Sequence, residues 1–93
     1  MRKIYDSTFS SEQDKKDFKT AIRSLLSIPV NSRSGFSSIR RVEKALESET
    51  EFSLERDDYQ FLIGQLEYGF QMRLLQNPKA WENVCTILDG MKD

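Results

Sequence analysis

Residues 55–75, "ERDDYQFLIGQLEYGFQMRLL", constrain the fold more than any other stretch of this chain. At about 100° per residue, a helix here places Tyr59, Leu62, Ile63, Leu66 and Phe70 on one side. Phe61, Tyr68, Met72 and Leu75 fall on the opposite side. A surface helix of a small domain needs one apolar stripe, so two opposed stripes admit two readings. Either this is a central helix covered nearly all round, or the second stripe faces a partner chain. Phe61, Gln65, Tyr68, Met72 and Leu75 have the spacing of a coiled-coil seam with one polar position, which can fix register at some cost in stability. Gly64 and Gly69 each lower helix propensity by roughly 1 kcal/mol relative to alanine. They mark a close approach or a kink.

Three more helices fit around this one. In the first, Ser10 and Gln13 match a capping box, and Phe18, Ala21, Ile22, Leu25 and Leu26 recur at helical spacing until Pro29 stops it. The second starts near Ser37 or Ser38, with Phe36, Ile39, Val42 and Leu46 along one side, and fades in the acidic run 47–51. The third has Ser53 as its cap, with Asp57 and Asp58 suited to the positive end of the helix dipole. The fourth has Asn77 as N-cap and Pro78 in its first position. Its stripe is Trp81, Val84, Cys85 and Leu88, and Gly90 lies just past its end. The expectation is one all-α domain over residues 1–93, a compact bundle of about four helices. Residues 2–9 and 51–54 are extended candidates that would add a small two-stranded pairing, marginal by itself. The expected core is Phe18, Ile22, Leu25, Leu46, Leu62, Leu66, Trp81, Val84 and Leu88.

Charge narrows the function. The 14 lysines and arginines nearly cancel the 15 aspartates and glutamates, so no whole-molecule field draws in nucleic acid or an anionic membrane. Recognition by charge has to be local, and residues 28–41, "IPVNSRSGFSSIRR", are where it concentrates. With the second helix starting at Ser37 or Ser38, Arg40 and Arg41 sit in its first turn, while Glu47, Glu49 and Glu51 lie at or past its last. Both groups oppose the helix dipole. An ordinary solvated face accounts for this. The alternative is an anion site, in which Arg33, Arg40 and Arg41 surround free helix N–H groups and hold a partner's carboxylate or a phosphate.

Catalysis lacks its usual parts. The chain has no histidine, which removes the commonest general base and most zinc sites. Its single cysteine, Cys85, lies on an apolar stripe beside Val84 and Ile87 and reads as a small core residue. One cysteine forms no internal disulfide and fits a reducing compartment. No phosphate loop, dinucleotide fingerprint or calcium loop is present. No apolar run resembles a signal peptide or membrane span. The expectation is a cytoplasmic protein that is not an enzyme and takes no cofactor, metal or membrane.

The order of features in "GFSSIRRVEKALESETEFSLERDDYQFLIGQLE", residues 35–67, resembles short helical accessory proteins of tailed bacteriophages. These often carry a basic first helix, an acidic link, an "sLxxxDyxfL" entry and a long helix. The resemblance implies a host cytoplasm and work done by binding host or phage proteins, and it transfers no site residue. Three functions stay open. One is a protein-binding module (adaptor, inhibitor or assembly factor) that engages another protein, or itself as a homo-oligomer, through Phe61, Tyr68, Met72 and Leu75 and through Arg33, Arg40 and Arg41. Another is a nucleic-acid-binding regulator using the three arginines, disfavoured by the neutral charge. The third is a structural subunit of a larger particle.

Overall fold

A helix leaves its first amides without intrahelical partners, and here Ser11 supplies an acceptor. Its Oγ accepts from the Asp14 amide at 3.2 Å. Helix α1 therefore spans Glu12–Leu26, one residue later than a Ser10 cap implies. The computed structural model describes residues 2–75 and 78–91. In chain order they form β1 (Arg2–Tyr5), a 3-10 turn (Asp6–Thr8), α1, α2 (Arg33–Leu46), β2 (Glu51–Leu54), α3 (Arg56–Gln71) and α4 (Pro78–Asp89). The described residues are thus mostly helical, with four helices and the small antiparallel pairing near the N-terminus that the sequence admits. The expected Asn77 cap lies outside the described residues.

Strands β1 and β2 pair in register, with Ile4 opposite Phe52 and Arg2 opposite Leu54. Alternation then buries Ile4, Phe52 and Leu54 and turns Lys3 and Glu51 outward. The pairing is shorter than residues 2–9, because the chain leaves it after Tyr5. Two strands alone are marginal, but here the inner face joins the helical core. All nine side chains expected in the core are buried, together with Ile28, Val42, Tyr59 and Met91. The Cα radius of gyration is 12.5 Å, against about 12 Å for a compact chain of this length.

Helix ends are satisfied across elements. Gln65 of α3 turns its Nε2 onto the carbonyls of Leu25 and Ile28 at 3.2 and 3.3 Å, closing the end of α1. Its polarity serves the fold, where the seam reading gave it to a partner. Lys15 and Lys19 of α1 donate to the Glu49 and Ser48 carbonyls at 2.7 and 3.0 Å. Cations from a neighbouring helix thereby cover the negative end of α2, which its own sequence leaves acidic. Ser53 lies in β2, and Glu55 precedes α3 without a side-chain cap bond. At the other end of α3, Leu74 N–H donates to the Gly69 carbonyl and Arg73 N–H to that of Phe70. Arg73 takes the left-handed position, φ 56°, that glycine usually fills in such a C-cap. Gly90 follows α4 as expected but has no positive φ.

Candidate functional site

The arginine-rich segment is helix rather than loop. Ser32 caps α2, its Oγ accepting from the Gly35 amide at 3.0 Å, so the helix begins at Arg33. Ser37 and Ser38 lie inside it, and Arg40 and Arg41 are two turns from its start. The expected opposition of Arg40 and Arg41 to the dipole at the N-terminus is therefore absent, and Arg33, now the first helical residue, is the cation placed there. Arg33 and Arg40, seven residues apart, share one face of α2 at about 20°, and both are exposed. Phe36, expected on the inner side, is exposed at 58% between them.

Arg41 does something else. Its Nε donates to both oxygens of Asp58 at 3.0 and 2.9 Å, and one terminal nitrogen lies 2.8 Å from Oδ1. The same terminal nitrogen donates to Ser38 Oγ at 3.3 Å. Asp58 is 2% exposed, so this bidentate pair clamps α2 to the first turn of α3. The hydrogen bond to Asp58 raises the Arg41 guanidinium above its ordinary pKa, with desolvation opposing it. Arg33, Arg40 and Arg41 therefore do not converge on one anion. Asp58 is also more than a dipole residue: it is the buried half of an interhelical pair.

The second stripe of α3 divides. The helix ends at Gln71, so Met72 and Leu75 lie beyond it and the five seam positions do not form one helical face. Phe61 and Leu75 are half-buried and pack against the core. Leu75 folds back so closely that a Cβ on Gly69 would lie 2.8 Å from its Cγ. Gly69 thus marks a close approach, whereas a Cβ on Gly64 would meet nothing within 4 Å. Tyr68 and Met72 are exposed at 46% and 55%. Phe70, expected in the core stripe, is exposed, as is Leu74. Phe70 instead borders a shallow hollow with Glu82, Cys85, Thr86 and Asp89 of α4. Cys85 is half-buried, and desolvation, helped by Asp89 and Glu82, pushes its thiol pKa up.

Compared with protein-family models, curated proteins and solved structures, the chain matches none. Among the described residues, no helix is long and apolar enough to cross a membrane, and no group of three or more acidic or cysteine side chains is placed to hold a metal.

Proposed function

We propose that this chain is a non-enzymatic protein-binding module whose contact surface is the C-terminal end of α3 and the turn that follows. One observation carries the reading. Among the described residues six large apolar side chains are exposed, and four of them, Tyr68, Phe70, Met72 and Leu74, fall within residues 68–74. Scattered single exposures are ordinary, whereas here Tyr68 and Met72 on one side and Phe70 on the other make the end of α3 an apolar projection, and such a concentration marks contact with another protein. Tyrosine, phenylalanine and methionine are also the types enriched where proteins meet. Tyr68 and Met72 act as the outward anchors, while half-buried Phe61 and Leu75 of the same stripe pack against the core. Exposed Arg33 and Arg40 of α2 offer a partner's carboxylates a second contact. Arg41 is spent on Asp58, which weakens the nucleic-acid alternative further. The phage resemblance directs the search for the partner to host and phage proteins of a bacterial cytoplasm.

The double substitution Tyr68→Glu, Met72→Glu tests this. Both positions are solvent-exposed, so the variant should melt cooperatively like the wild type. Sedimentation should show any self-association lost, and capture of a partner from bacterial lysate should fall at least tenfold. A folded variant that binds and sediments as the wild type does would sink the proposal.

A further inference from the structure

A cleft of about 530 Å³ opens between the first half of α1, the turn before it and α4. Its apolar lining comes from Phe9, Phe18 and Ala21 on one side and Trp81, Val84 and Ile87 on the other. Phe9 and Phe18 pack with ring centroids 5.4 Å apart and planes tilted by 47°, giving one wall an aromatic surface. The lining holds two charged residues, Asp14 and Asp17, one helical turn apart on α1, and no lysine or arginine. Asp14 accepts from the Ser10 hydroxyl and Asp17 from the Gln13 amide at 2.9 Å. Neutral donors fix both carboxylates in place without cancelling their charge. The remaining polar groups are Thr8, Ser10, Thr20 and Asn83.

Volume and lining fall in the range of small-molecule sites, which are mostly apolar with a few placed polar groups. We infer that this cleft binds a small organic cation: an amine whose hydrocarbon body lies on the Phe18, Ala21 and Trp81 floor while its ammonium group meets Asp14 and Asp17. The rim decides the sign of the ligand. An anion of the same shape would leave water to face two carboxylates, and a neutral one would leave their charge unused. The inference does not rest on the protein-binding surface at the end of α3, because the cleft is lined by no residue of α3 or of the turn after it and takes a different class of ligand.

Trp81 is the chain's one tryptophan and lines both this cleft and the hollow beside Leu74 and Leu75, so the effect of Asp17→Asn is what assigns an emission change to the cleft. The test titrates the protein with 1-adamantanamine and, separately, 1-adamantanecarboxylate, which share a hydrocarbon body and differ in charge. The amine should shift Trp81 emission saturably and bind at least tenfold tighter than the carboxylate. Asp17→Asn, at an exposed position outside the core, should keep the fold and remove most of that preference. Ala21→Leu, which narrows the floor, should weaken both ligands. No saturable shift, equal affinities, or a preference unchanged in Asp17→Asn would overturn the inference. Tighter binding by a leucine–lysine peptide than by the amine would assign the cleft to a polypeptide and overturn it equally.

Discussion

Gly64 and Gly69 sit five residues apart in the same helix and do opposite things. A methyl group at Gly64 meets open space, so Gly64→Ala should recover the helix-propensity deficit and stabilise the fold by about 0.5–1 kcal/mol. At Gly69 the same methyl runs into Leu75 Cγ. The propensity gain is then outweighed by overpacking, typically 1–3 kcal/mol, so Gly69→Ala should destabilise by about 1 kcal/mol. Urea midpoints of the two variants should move in opposite directions. From the sequence both glycines were equivalent, since nothing in the helical period shows where the following turn lands. Cys85 gives a second residue-scale expectation. Its thiol pKa is raised in the folded chain by desolvation first, so the neutral form is favoured by folding. That contribution is complete below the unfolded thiol's pKa of about 8.5 and is lost as pH climbs through the folded value. Stability should therefore fall slightly on the alkaline side. At pH 8 the folded thiol should react with a disulfide reagent more slowly than in the urea-unfolded chain, and equal rates would contradict the assignment.

Elements whose signals agreed at every level were legible. Helix α4 has proline at its first position and an apolar stripe, and it is found at Pro78–Asp89. In α1 the apolar period ran cleanly into the Pro29 stop. The start of α2 was not legible, because Ser32, Ser34, Ser37 and Ser38 are all competent caps. The start that forms goes with a local fit: Val30 packs so closely over Gly35 that a Cβ there would lie 3.2 Å from Val30 Cβ. The misplaced start carried the arginine reading with it. The Asp58 pair was hidden for a related reason, since a first-turn aspartate is already explained by the dipole. Its test is a double-mutant comparison. Arg41→Met strands a buried carboxylate and should destabilise strongly. Adding Asp58→Leu removes the stranded charge and should restore much of the loss, although two mutations now replace one. A double variant less stable than Arg41→Met alone would mean that the pair is incidental. The same geometry predicts that reversing Arg41 to glutamate unfolds the chain, so recognition by α2 has to be probed at Arg33 and Arg40 only.

Across the whole molecule the fold is closed by its ends. The chain separation between β1 and β2 exceeds 45 residues; the two extended stretches and their pairing were legible, but no local pattern foretells how the pair is tied to α3 and α4. The outward Tyr68 and Met72 were readable as a second stripe, but the closure was not. Arg2 lies over the Tyr59 ring, 4.2 Å from its centroid, and its Nη1 donates to the Met91 carbonyl at 3.3 Å. Tyr59 in turn donates its hydroxyl to the Leu88 carbonyl at 3.0 Å. Strand β1, the start of α3 and the last turn of α4 are thus one contact unit, held inside by Ile4, Phe52 and Met91. Ile4→Ala opens a cavity in that unit at about 2–4 kcal/mol, a large share of the roughly 5–15 kcal/mol that holds a domain folded. The loss should not stay in the strand. Loosening β1 withdraws Arg2 from Met91, so amide exchange at Gly90 and Met91 should quicken together with that of residues 2–5. Exchange in the last turn of α4 that stays at wild-type rates, while β1 exchanges freely, would show that the strand is an appendage and that the helices close the fold without it.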